Sequence, residues 1–253
     1  MLTFSQCRLT EYQLVFHLQN LPLVNMPNES DEFDELLENL RPNFGSSKPL
    51  KEQLVDSSAP YTNGGEKEVS ILFANLYGVG RLTQQMEVET RVELFNQYFE
   101  VMVETLFNHR GALDKYIGST IMAVFNSPLP LEDHALMAIK AALAMRERLP
   151  EINSSWFPQE QHPLRIGIGI NTARVFCGHV GSPLRMEFTA VGHGVNVANH
   201  LSQQGQQYGC DILIGQKTYE SCAEYVQVRE RDSTQLKPEG NPFKVYELIG
   251  LNA

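Results

Sequence analysis

The sequence lacks any apolar run approaching the ~20 residues that a membrane-spanning helix needs, so no membrane insertion is expected. Its four cysteines, Cys7, Cys177, Cys210 and Cys222, show neither a CxxC pair nor metal-ligand spacing. That argues against a disulfide framework or a zinc site and for unpaired thiols in a reducing compartment. Basic residues are in the minority, 20 against 30 acidic, and the net charge of −10 gives no footing for nucleic acid or an anionic membrane surface. The opening MLTFSQCRLTEY has no basic start and no long apolar stretch, so no secretory leader is read and the expected location is cytoplasmic. What is present is 42% hydrophobic and 20% charged residues among 253, enough for a packed core in one large domain, or a medium domain with an extension.

Residues 1–40 read as an N-terminal extension. Within it SDEFDELLENL begins at a Ser cap and places Phe33, Leu36, Leu37 and Leu40 on one helical face. Residues 41–66, rich in Pro, Gly, Ser and Asn, read as a flexible linker. From 67 to 250 the pattern is dense. VSILFANL predicts a buried strand, and Val92, Phe95, Phe99, Met102 and Leu106 predict the inner stripe of a long helix. EDHALMAIKAALAMRERL predicts a second helix, buried at Ala135, Ile139, Ala142 and Met145. Alternation at Leu164, Ile166, Ile168 and Ile170 predicts a half-buried strand, leading into a turn and another strand. RMEFTAVG, DILIG and FKVYEL read as strands, GVNVANHLSQQ as the start of a helix and QKTYESC as a short one. The fold class expected is α+β, with helices over a mostly antiparallel sheet.

GALDKYIGSTIMAVF, residues 111–125, folds on paper into two short strands about a turn at Gly118. Such turns often present a carboxylate to a ligand, yet the tip residue is Ser119. Together with ILFANLYGVG, LFNQYFEVMVETLFNHR, EDHALMAIKAALAM, LRIGIGINTARVFCGHVGS, RMEFTAVGHGVNVANHLS and the closing KVYEL, this stretch resembles the class III nucleotidyl cyclase catalytic domain. The resemblance runs in family order from about 67 to 249. It implies a ferredoxin-like core and head-to-tail dimers, homodimeric or with another cyclase-type chain, with sites at the interface. A diguanylate cyclase is not read, because its GGDEF signature is absent; the nearest string, NGGEKE, precedes the first core strand.

The resemblance also implies which residues matter. The family holds two magnesium ions on two aspartates, and magnesium takes oxygen ligands, usually carboxylates with substrate phosphate. Here Asn75 and Ser119 occupy those positions, and both are neutral. Asp114 is expected to be structural, since the family commonly has an aspartate there beside the metal ligand. Lys115 and Thr189 match the pair that reads adenine, and Asn196 matches the asparagine that orients ribose. His200 stands where the family has its transition-state arginine, four residues on and on the same helix face. The turn glycines Gly78, Gly118, Gly178, Gly181 and Gly192 are kept, while Ala173 and His193 replace a common glycine and aspartate.

The implied function is that of a degenerate adenylate cyclase homology domain without catalysis, a regulatory or interaction module in cyclic-nucleotide or other intracellular signalling. It would bind ATP weakly and need no resident cofactor, with magnesium entering only beside a complete cyclase chain. The alternative is a subunit of a heterodimeric adenylate cyclase converting ATP to cyclic AMP and pyrophosphate.

Overall fold

The computed structural model of the chain describes residues 64–182, 184–231 and 244–252. The N-terminal extension at 1–40, and the linker at 41–66 up to residue 63, lie outside the described residues. Strand β1, Gly65–Tyr77, takes in the last two residues assigned to that linker. Packing separates two units. Among the described residues, the larger comprises Glu66–Phe176 and those from Ala190 onward; the smaller comprises Gly64, Gly65 and those from Cys177 to Thr189.

After β1 come α1 (Val79–Leu82), α2 (Val88–Asn108), β2 (Ala112–Ile117), β3 (Thr120–Phe125) and α3 (His134–Trp156). These are followed by β4 (Arg165–Ser182), β5 (Arg185–Val191), α4 (His193–Tyr208), β6 (Ile212–Gly215), α5 (Gln216–Glu220), β7 (Val226–Arg231) and β8 (Val245–Leu251). The sheet order is β2-β3-β1-β4-β6-β8-β7, with β5 paired to β4. β1 with β3, β2 with β3, β6 with β8 and β7 with β8 are antiparallel; β4 with β6 is parallel. The class is α+β, as the sequence pattern predicts. Among the described residues no helix is long and apolar enough to cross a membrane.

Three local expectations are corrected. The inner stripe of α2 is Leu94, Tyr98, Met102 and Leu106, rotated from the predicted one, and Val92 is 51% exposed. Phe95 and Phe99 flank the stripe, and Phe99 rests on Tyr116 of β2 at a centroid distance of 4.3 Å. Aromatics that pack sideways on a neighbouring strand mimic a core stripe in spacing alone. Next, no turn interrupts β4, which is one 18-residue strand. Nor is it half-buried: Ile166 to Thr172 are all buried. A Cβ on Gly169 would lie 2.2 Å from Ala198 O and 2.3 Å from Ser202 N, so α4 lies directly on the glycine backbone. The face that alternation assigned to solvent is covered by a helix. Finally, the β7 segment VQVRER, not read as a strand from its sequence, is polar and half exposed at the sheet edge.

Helix α3 continues through Pro150 to Trp156. Pro removes one helical hydrogen bond, a cost of roughly 3 kcal/mol in a helix interior. Tertiary bonds hold the turn beyond it. Asn153 donates to Leu164 O at 2.9 Å and accepts from Leu164 N–H at 2.9 Å, while Ile152 is fully buried. Cys177, Cys210 and Cys222 are buried, and burial pushes the Cys210 and Cys222 thiols up to about 11.

Candidate functional site

The larger unit brings the two neutral positions together through strand register. Asn75 of β1 pairs with Thr120 of β3, the residue that follows Ser119. Thr120 donates its hydroxyl proton to Asn75 Oδ1 at 3.0 Å. Tyr77, two residues along β1 and on the same face, donates to Ser202 O of α4 at 2.8 Å. Burial raises the Tyr77 phenol above its ordinary range, and a hydrogen bond with Asn75 partly offsets this. Tyr77 and Thr120 were not singled out in the sequence. Period-two spacing from Asn75 would have flagged Tyr77; Thr120 needed the register.

The donor set here does not fit a pair of magnesium ions. Asn75, Ser119 and Thr120 supply neutral oxygens only, and Asn75 Oδ1 is already an acceptor for Thr120. Among the described residues no group of three or more His, Cys, Asp or Glu is placed to hold a metal.

Asp114 has a different task, set by a bulge. β2 pairs Leu113 with Ala123 and Lys115 with Met122, so Asp114 is the extra residue. Its side chain is 4% exposed, and its Oδ2 accepts the backbone N–H of Ala190 at 3.2 Å. A buried carboxylate that satisfies a main-chain donor is a joint in the fold. Lys115 is partly exposed, and its ammonium lies 3.5 Å from Asp114 Oδ1. The bulge and the ion pair together set the lysine's direction.

On α4, Asn196 is exposed and His200 partly exposed, one helical turn apart. The helix is seated from below. Asn171 of β4 donates its amide to Gly194 O at 3.0 Å, and a Cβ on Gly194 would lie 2.4 Å from Ala173 Cβ. Ala173, read in the sequence as replacing a common glycine, therefore presses on the first turn of the helix that carries Asn196 and His200. Asn171, unremarked in the sequence, is the residue that fixes that turn. His193 is exposed at the helix start. Thr189 belongs to the smaller unit and is buried there. That unit also holds the edge-to-face contact of His179 with Phe188, at 5.4 Å.

The profile of the family described as "Adenylate and Guanylate cyclase catalytic domain" matches residues 62–250. The chain is similar to adenylate cyclase 1 of Rhizobium meliloti, 28% identical over 185 residues, covering 73% of this chain and 28% of that protein. It is similar to the terminal-differentiation-specific adenylate cyclase of Dictyostelium discoideum, 34% identical over 188 residues, 72% of this chain and 9% of that protein. The chain thus spans well under half the length of these relatives. The crystal structure of the adenylyl cyclase CyaB from P. aeruginosa superposes with a TM-score of 0.68 at 26% identity, covering 74% of this chain and 95% of that one. A guanylyl cyclase crystal structure superposes almost as well, with a TM-score of 0.66 at 28% identity over 75% of this chain and 95% of that one. The fold therefore does not choose between adenine and guanine.

Proposed function

The chain belongs to the family of adenylate and guanylate cyclase catalytic domains, and from that membership we propose that it is a non-catalytic member, a regulatory or interaction module in cytoplasmic cyclic-nucleotide or other intracellular signalling. The observation that carries this reading is the pairing of Asn75 with Thr120 beside Ser119. Where the chemistry calls for two carboxylates to hold cations against a triphosphate, this sheet offers an amide already engaged by a hydroxyl. His200 adds to the deficit. Histidine lacks the permanent charge and bidentate fork of arginine. Arginines at phosphoryl transition states can be worth on the order of 10³ to 10⁵ in rate.

The half of the site that recognises rather than reacts is kept. In this reading Lys115 donates to a ring nitrogen of adenine, Thr189 pairs with it, and Asn196 orients the ribose. Binding without a metal clamp is weak, and adenine is preferred to guanine. The natural assembly is a dimer, of two copies or with another cyclase-type chain.

A second reading is favoured by the directed position of Lys115 at the β2 bulge. In a heterodimer the chain lends Lys115, Thr189 and Asn196 to a partner that brings the aspartates, magnesium being held by that partner. The pair would convert ATP to cyclic AMP and pyrophosphate.

One experiment separates them. Binding of ATP to the purified chain is measured with and without Mg²⁺ or Mn²⁺, and cyclic AMP is assayed for the chain alone and mixed with a complete cyclase chain. The first reading expects metal-insensitive weak binding, no product from the chain alone, and none in the mixture beyond the partner's own. Robust turnover by the pure chain overturns both readings.

A further inference from the structure

Away from these residues, four elements meet at a file of polar groups that the proposed function does not use. Thr218 of α5 donates its hydroxyl proton to Thr172 Oγ1 of β4 at 3.1 Å. Thr172 Oγ1 and Ser70 Oγ of β1 are 2.7 Å apart, and Ser70 Oγ is 2.9 Å from Nδ1 of His134, the first residue of α3. The three hydroxyl residues are at most 2% exposed, while the imidazole at the end of the file is partly buried.

Counting protons sets the direction of the file. A hydroxyl has one proton to give. With Thr218 donating to Thr172, Thr172 to Ser70 and Ser70 to Nδ1, each proton is used once and Nδ1 must offer a lone pair. Neutral imidazole protonated at Nε2 does so. A protonated ring places an N–H at Nδ1 and aims two donors at Ser70. The Ser70 proton is then without an acceptor in a solvent-free position, which is costly.

The charged groups facing the ring are Glu68 and Lys67 of β1, Asp133 immediately before α3, and Lys217 of α5. Burial outweighs the attraction of the two carboxylates and holds the ring below its ordinary value. The positive end of the α3 dipole acts in the same sense.

We propose that His134, Ser70, Thr172 and Thr218 form a pH-sensitive clamp, which joins α3 and α5 to β1 and β4 while His134 is neutral and loosens when His134 is protonated. What it holds bears on the candidate site. β1 leads from Ser70 to Asn75, and Thr172 adjoins Asn171, the residue that seats α4 through Gly194. The clamp does not depend on whether the chain binds nucleotide.

For a base held below its unfolded value, the unfolded chain binds the proton first as pH falls. The stabilisation is complete above the unfolded value of about 6.5 and is lost as pH falls toward the folded one. The test compares denaturant midpoints of the full chain, His134→Gln, Ser70→Ala and the double variant from about pH 8 to about pH 5, a range that brackets that value. Glutamine accepts from Ser70 without titrating. The wild-type advantage over His134→Gln should be flat above about pH 6.5 and shrink below it, and this dependence should be shallower in the Ser70→Ala background, where only burial and the neighbouring charges act on the ring. A pH-independent difference, or one equally steep without the Ser70 hydroxyl, overturns the proposal. Should the variants fail to fold, the His134 ring signals of the wild-type chain decide by NMR. A titration midpoint below about 6.5 is expected, and one at or above it overturns the clamp.

Discussion

Asn75 and Thr120 face each other across the β1–β3 ladder, joined by a 3.0 Å hydrogen bond from the threonine hydroxyl to the asparagine side-chain oxygen. In the proposed reading this pairing occupies the place where the family's chemistry begins. Its consequence is that rebuilding the metal site needs more than one substitution. Asn75→Asp, Ser119→Asp and His200→Arg are expected to yield cyclic AMP only in combination, because cation clamp and arginine act on one transition state. Each single variant should stay at background. A single variant that turns over as a pure chain would place the metal on residues other than these.

Asp114 and Lys115 are neighbours with separable roles. Asp114→Ala removes the acceptor of the Ala190 N–H and should lower stability by about 1–3 kcal/mol, the usual cost of orphaning a buried donor. Lys115→Ala should change stability less, since the lysine is partly exposed and the buried Asp114 carboxylate keeps its bond from the Ala190 N–H. Its effect should appear instead as weaker ATP binding. Denaturation followed through the single tryptophan, Trp156, together with ATP titration, measures both.

The glycine seat beneath α4 makes a steric prediction. Gly169→Ala places a methyl carbon 2.2 Å from Ala198 O and 2.3 Å from Ser202 N, both main-chain atoms of α4. Backbone cannot swing aside as a side chain can. The variant should lose at least the ~1–3 kcal/mol typical of over-packing. An unchanged urea midpoint would show that α4 rides higher on β4 than the structure places it.

Acid sensitivity should have a component distinct from that of His134. Glu68 is held below the ordinary carboxylate value of 4.5, chiefly by its hydrogen bond with Lys217. As pH falls, the unfolded chain protonates at this position first. The stabilisation is therefore complete above about pH 4.5 and is lost below it, as pH falls through the folded value. Lys217→Met should flatten stability in that acid window and leave the slope near pH 6 to His134. The pair is substantially exposed, so added salt should weaken the Glu68 component.

Much of this protein is decided by local pattern. Apolar residues from Val69 to Leu76, at strand length and without a charge, mark a buried strand, and the helical spacing in EDHALMAIKAALAM places Ala135, Ile139, Ala142 and Met145 on the buried side, which also takes in Ala138, Ala141 and Leu143. The identity of a residue is likewise written in the chain: a neutral Asn75, a neutral Ser119 and a histidine at 200 need no coordinates to be noticed. Tertiary structure decided what depends on a second surface. Ile166, Ile168 and Ile170 alternate with glycines, and alternation cannot say whether the glycine face meets water or a helix; α4 lying on Gly167 and Gly169 settled that. Pro150 should end a helix by its own chemistry, yet Asn153 bound twice to Leu164 carries the helix past it. Asp114 is one carboxylate among many until a bulge in β2 turns it to the Ala190 N–H. Local propensities are properties of neighbours in sequence, whereas these outcomes are energies shared between residues far apart in it, which only the folded chain brings within bonding distance.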